Sequence, residues 1–247
     1  MGTRLILGAL ALSASSLAFS QVIFNENFEG MTVGNPLNGN VTGGQTWQSD
    51  LGNDFVISNN RSSGGGTKSV RVNSNANSTW SWVNLPTPFS GGIQPTLKGS
   101  VDIFMDAGVS GATTYGLNIY GGAGGNNRLG GIRAYGAGTR VDVWDGTSWQ
   151  ISGATAPTGA WFNVSVLVNY TTPTTGTAKY FINNVQVGSD VAVTEATHSV
   201  RLYNFATVFP LTAAANFDNY RVEAVPEPAT IAILGAGALA LIRRKKK

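Results

Sequence analysis

The chain has 247 residues, only 12% of them charged, with 32 glycines and no cysteine. Disulfides, thiol nucleophiles and cysteine-ligated metals are therefore excluded. The formal net charge of +3 is a terminal effect: residues 21–224 carry ten basic and twelve acidic side chains, a net of −2, so nucleic acid is not an expected partner.

Residues 1–20 read as a secretory signal peptide. Arg4 supplies a basic start, residues 5–12 an apolar stretch, and Ala18-Phe19-Ser20 a small-x-small cleavage site before Gln21. Residues 21–224 then alternate apolar and polar positions in short segments separated by turn residues, which predicts one all-β sandwich domain. Abundant glycine and asparagine suit tight turns, and helix-forming Lys, Glu and Gln are scarce.

Val22, Phe24 and Phe28 alternate in the first segment. Val101, Ile103 and Met105 share one face of a strand, as do Tyr115, Leu117 and Ile119. The strongest pattern runs from Trp161 to Tyr170, where Phe162, Val164, Val166, Val168 and Tyr170 line one side. Asp145-Gly146 and Asn183-Asn184 signal hairpins, because both pairs tolerate the positive φ of tight turns. Residues 200–205 and 217–222 supply two late strands, and the Gly/Asn-rich stretches 59–66 and 121–127 read as surface loops.

Residues 225–247 have three parts in order: Val225-Pro226-Glu227-Pro228, an apolar run over 229–242, and five basic residues, Arg243 to Lys247. As a helix the fourteen-residue run spans roughly 21 Å, short of the roughly 30 Å hydrocarbon core. It is expected as a short C-terminal transmembrane helix whose basic end stays cytoplasmic, leaving the body outside. This tail resembles the PEP-CTERM sorting signal, with Pro226, Glu227 and Pro228 as its motif. The resemblance implies an exosortase-type processing enzyme as partner and membrane attachment in transit. It also implies delivery to the surface or exopolysaccharide matrix of a Gram-negative bacterium.

A second resemblance covers residues 22–223. Phe24-Asn25-Glu26-Asn27-Phe28-Glu29-Gly30, Tyr180-Phe181-Ile182-Asn183-Asn184-Val185-Gln186-Val187-Gly188 and Phe217-Asp218-Asn219-Tyr220-Arg221-Val222 look like concanavalin A-like, laminin-G-like jelly rolls. That implies a jelly-roll β-sandwich whose first and last strands pair. It also implies a structural calcium ion, with Glu29 and Asp218 as candidate ligands; no other cofactor is expected.

No catalytic residue is assigned. The Glu-x-Asp-x-x-Glu run of related glycoside hydrolases is absent. Asp102 and Asp106 share a strand face roughly 13 Å apart, beyond the roughly 5–9.5 Å between paired glycosidase carboxylates. His198, the single histidine, has no nucleophile motif beside it, and Gly121-Gly122-Ala123-Gly124-Gly125 lacks the Lys-Ser/Thr of a phosphate loop.

A binding face is the stronger expectation. Asp102, Phe104 and Asp106, then Asn118 and Tyr120, then Arg133 and Tyr135, then Arg140, Asp142 and Trp144 oppose the apolar positions of four successive strands. As neighbours these strands mix rings for sugar stacking with groups that hydrogen-bond hydroxyls. Trp80 and Trp82 also share a face, read as core or rim. The leading expectation is a non-catalytic glycan-binding or matrix module with extracellular polysaccharide as partner. The alternatives are a divergent glycoside hydrolase or polysaccharide lyase, and a ligand-free coat protein.

Overall fold

The computed structural model describes residues 20–225 apart from 52–53, 73–78, 91–95, 110–111, 123–124 and 207–213. Except for Ser20 and Val225, the expected signal peptide and sorting tail lie outside the described residues. No helix among the described residues is long and apolar enough to cross a membrane.

In chain order the strands are β1 (Gln21–Glu26), β2 (Val41–Thr42), β3 (Gln45–Thr46), β4 (Gln48–Ser49), β5 (Phe55–Ser58), β6 (Ser69–Val72), β7 (Thr79–Phe89), β8 (Thr96–Met105) and β9 (Thr114–Gly121). They continue as β10 (Asn127–Tyr135), β11 (Val141–Trp144), β12 (Trp149–Ile151), β13 (Trp161–Tyr170), β14 (Gly176–Ile182), β15 (Val185–Val193), β16 (Thr197–Phe205) and β17 (Ala215–Val225). An eight-stranded sheet runs β15-β14-β13-β8-β17-β6-β5, with β1 added on β17; a seven-stranded sheet runs β12-β11-β10-β9-β16-β7-β4. The pairings in both are antiparallel. The fold is thus an all-β sandwich, and β2 and β3 form a separate small hairpin.

Alternation decides which side chains enter the core. Val101, Ile103 and Met105 of β8 and Val164, Val166 and Val168 of β13 project inward from one sheet. Leu117 and Ile119 of β9, Ile132 of β10 and Val200 and Leu202 of β16 meet them from the other, all fully buried. Each such side chain stabilises the fold by about 1.5–3 kcal/mol relative to exposure.

Three tyrosines of the eight-stranded sheet cross this core to hydrogen-bond the opposite layer. Tyr220 of β17 donates to the Val200 carbonyl at 3.0 Å, and Tyr180 of β14 to the Trp144 carbonyl at 2.8 Å. Tyr170 of β13 donates to the Glu195 carbonyl at 2.9 Å, and its hydroxyl lies 2.8 Å from Thr197 Oγ1. Burial pushes all three phenols above their ordinary pKa, so they stay protonated donors.

The Asn183-Asn184 hairpin forms as expected, both residues having positive φ (47° and 65°) between β14 and β15. The Asp145-Gly146 turn joins β11 to β12, with the Asp145 carboxylate accepting the N–H groups of Thr147 and Ser148. First and last strands pair, Gln21 opposite Ala224, and Ser20 Oγ donates to Glu223. The expected alternation of Val22, Phe24 and Phe28 does not hold. A bulge between Val22 and Phe24 turns Val22 outward, and Phe28 reaches the core from a positive-φ position beyond β1.

Replacing Tyr220 with Phe removes one cross-sheet bond to the Val200 carbonyl, an expected loss of about 0.5–1.5 kcal/mol in urea denaturation. A loss under a few tenths would mean that the bond contributes nothing to holding the layers together.

Candidate functional site

The outer face of the seven-stranded sheet carries a second, separately packed layer of large side chains. Antiparallel register brings them together: Arg201 lies opposite Asn118 on one side and Trp82 on the other, Tyr203 opposite Trp80, Arg128 opposite Tyr120, Arg133 opposite Asp142, and Trp144 opposite Trp149. Tyr120 and Tyr203 are buried although they lie outside the main apolar core.

Guanidinium groups alternate with rings across the strands. The Arg201 guanidinium carbon sits 4.4 Å from the Trp82 ring centroid and 4.0 Å from that of Tyr120. Arg128 lies 4.7 Å from Trp144 and 5.1 Å from Trp149, and its Nε donates to the Tyr120 hydroxyl. Arg133 is 4.3 Å from Trp149, and Arg140 is 4.5 Å from Tyr135. Trp149 in turn stacks on Tyr203 at 6.0 Å. Each cation–π contact is worth about 0.5–2 kcal/mol, rising as water is excluded.

The strands accommodate this layer through glycine. A Cβ on Gly131 would come within 2.0 Å of Asn118 Oδ1 and 3.0 Å of Trp149, so glycine here leaves room for both side chains over β10. Asp142, fully buried, ties one end down by accepting from Arg140 Nε at 2.5 Å and from Arg133 Nη2 at 2.9 Å, with the Tyr135 hydroxyl donating at 3.1 Å. Burial alone would raise this carboxyl, but the hydrogen bonds from the two arginines outweigh it and hold Asp142 ionised, below the usual range.

At the other end Trp80, Tyr120, Asn126, Arg128 and Arg201 line an open recess of about 390 Å³. Arg128 and Arg201 have no carboxylate within 4 Å among the described residues, and Arg201 is only 7% exposed. Arg201 Nε donates to Ser199 Oγ, and its Nη2 to the Gly125 carbonyl. Asp50 is the nearby acid, but its Oδ1 accepts from Thr79 Oγ1 and the Trp80 N–H. Beneath the same face, Asn118 Oδ1 and Nδ2, Trp80 Nε1 and Trp144 Nε1 are buried without a hydrogen-bond partner.

Of the expected binding residues, Asn118, Tyr120, Arg133, Tyr135, Asp142 and Trp144 come together here. Asp102 and Phe104 do not, which corrects the expectation of four neighbouring strands. The chain crosses between layers after β8, so β8 pairs with β13 and β17 in the opposite sheet. There Asp102 accepts from Ser63 Oγ, Asn163 Nδ2 and Asn219 Nδ2, while Phe104 packs on Trp161 beneath Arg61. Asp106, just past β8, pairs with Arg61 and Arg71.

Sequence reasoning missed Arg128, Trp149, Arg201 and Tyr203, and placed Trp80 and Trp82 in the core or rim. Strand β7 inverts the usual pattern, with small polar Thr79 and Ser81 fully buried inward and the two tryptophans outward. The alternation of Ser199, Arg201 and Tyr203 against Val200 and Leu202 was the available signal.

The candidate calcium ligands Glu29 and Asp218 both accept hydrogen bonds from the 62–68 segment. Glu29 accepts the N–H groups of Thr67 and Lys68 and the Thr67 hydroxyl; Asp218 accepts the N–H groups of Ser63 and Asn219. Together they pin the 62–68 loop to the paired first and last strands. No group of three or more metal-ligating side chains occurs among the described residues.

Burial pushes the Asp218 carboxyl up to about 6, against the pull of its two backbone donors. The folded state therefore holds this proton more tightly than the unfolded chain, and Asp218 costs stability progressively as pH rises from about 4 through about 6. Relative to the parent, Asp218→Asn should become steadily more stable between pH 4 and pH 7 in urea melts. A difference constant across that range would contradict the burial effect.

Comparison with known proteins bears on both ends of the question. Residues 224–247 match the PEP-CTERM protein-sorting motif. That motif implies export, processing by an exosortase and arrival at the cell surface. No curated protein matches the chain in sequence. Among solved structures, the T. cruzi calreticulin globular domain superposes with a TM-score of 0.55 at 11% identity, over 91% of this chain and 99% of that one. An endo-beta-1,4-glucuronan lyase from the fungus Trichoderma reesei gives 0.51 at 12% identity, over 83% and 96%. An alginate lyase solved in complex with alginate trisaccharide gives 0.50 at 14%, over 85% and 99%. At such identities the likeness establishes the fold, a jelly-roll-type β-sandwich, and no activity.

Proposed function

We propose that the chain is a non-catalytic, glycan-binding module of the cell surface or its exopolysaccharide layer, binding through the outer face of the seven-stranded sheet. The observation that carries this reading is the row of rings and guanidinium groups spanning β7, β16, β9, β10, β11 and β12, with an open recess at one end. Glycan sites combine a flat apolar surface with fixed polar groups. Trp80 supplies the surface in the recess, and Asn126, Arg128 and Arg201 supply the polar groups.

Two structural neighbours are lyases that act on polysaccharides, which is compatible with a saccharide ligand but carries no residue over. Hydrolysis needs two carboxylates facing one bond. On this face Asp142 is engaged by Arg133 and Arg140, which favours binding over cleavage. After processing, the sandwich would be displayed in the matrix of a Gram-negative bacterium.

The full chain should bind members of a glycan array, and Trp80→Ala and Trp144→Ala should each weaken binding at least tenfold, about 1.4 kcal/mol. Undiminished binding in both variants would move the site elsewhere, and silence across the array would favour a ligand-free coat protein.

A further inference from the structure

The ring faces that a neutral sugar would stack on are largely taken. Arg201 occupies Trp82 and Tyr120, Arg128 occupies Trp144 and Trp149, and Arg140 occupies Tyr135. The layer sets guanidinium groups against aromatic rings, and those of Arg128 and Arg201 border the recess. A ring-stacked guanidinium has lost much of its freedom already, and its planar fork matches a carboxylate or sulfate bidentately.

The charge balance points the same way. Four of the ten basic residues in a body of net −2 converge on this one face, and all four are arginine. Asp142 neutralises the pair Arg133 and Arg140 at one end. Arg128 and Arg201 flank Tyr120 at the other end with no carboxylate in ion-pair range among the described residues. Trp80 Nε1 is a buried donor without a partner, and Arg128 and Arg201 line the recess beside it with no carboxylate in ion-pair range among the described residues. An anionic oxygen there would give the two guanidinium groups an acceptor.

We infer that the ligand is an acidic glycan, a uronate-type polysaccharide whose carboxylates sit between Arg128 and Arg201 while a sugar ring lies against Trp80. This inference rests on the glycan reading above and specifies its chemical class. Nucleic acid offers anionic oxygens too, but the net negative body disfavours a long polyanion lying across it. Short saccharides with spaced carboxylates fit a recess of about 390 Å³.

The test is titration calorimetry of the full chain with short oligomers of galacturonate, mannuronate and glucuronate, each beside its methyl ester, and with a single-stranded DNA oligonucleotide. Esterification removes the charge and keeps the ring. The expected result is binding of at least one free acid, at least tenfold weaker for its ester and weakened by added salt. Arg128→Gln should lower affinity for the acid at least tenfold, and Arg128→Lys, which keeps the charge without the fork, should fall between. Arg128 is chosen because it is partly exposed, whereas Arg201 is buried. Esters binding as tightly as acids would overturn the acidic assignment and leave the glycan reading standing. No binding of any uronate or ester would overturn the acidic assignment, while silence across the glycan array would overturn the glycan reading itself. DNA bound in preference to every uronate would also overturn the acidic assignment, and the parent-chain comparison holds even if a variant fails to fold.

Discussion

Two sheets of a sandwich attract each other through apolar contact, which is strong but indifferent to small slides of one layer over the other. The hydroxyls of Tyr170, Tyr180 and Tyr220 remove that indifference. Each leaves the eight-stranded sheet, crosses the core and ends on a specific acceptor in or beside β11 and β16. A buried phenol that misses its acceptor costs about 1–3 kcal/mol, so the three bonds together select one registration of the layers. The strands they fix, β11 and β16, are those that carry Asp142, Trp144, Arg201 and Tyr203 on their other side.

Because the core is closed from within, the outer face of the seven-stranded sheet is released from the work of holding the fold. Its large side chains pack instead on one another, ring against guanidinium. That packing resists collapse into solvent-facing disorder without needing a third layer of structure over it. The same sheet contributes opposite chemistries to its two sides by strict alternation, with Leu117 and Ile119 inward and Asn118 and Tyr120 outward. A mildly acidic domain thereby gains one arginine-rich face. Its two ends meet where β1 pairs with β17, so Gln21 and Ala224 lie side by side.

Much of the core was legible in the sequence, because period two is a local property. The inward faces of β8, β9 and β13 read directly from Val101 to Met105, Tyr115 to Ile119 and Phe162 to Tyr170. The sorting tail was legible for a similar reason: its three parts are contiguous. The candidate site was half legible. Asn118, Tyr120, Arg133, Tyr135, Asp142 and Trp144 sit on consecutive hairpin-like strands, so proximity in sequence gave proximity in space. Asp102 and Phe104 failed because consecutive strands need not share a sheet, and nothing local marks the crossing after β8. Arg201, Tyr203, Trp80 and Trp82 could not be grouped with that face locally, because β16 inserts between β9 and β7, a pairing that joins residues about 80–120 apart in the chain. Strand β7 added a decoy: its tryptophans look like core, yet Thr79 and Ser81 take the inward positions.

The most direct measurement is a crystal structure of the chain with a bound uronate oligosaccharide. Density for a carboxylate within hydrogen-bond reach of both Arg128 and Arg201, with a sugar ring over Trp80, is the expected result. Density on the eight-stranded sheet, or a ligand on this face with its carboxylates turned away from both guanidinium groups, would contradict it.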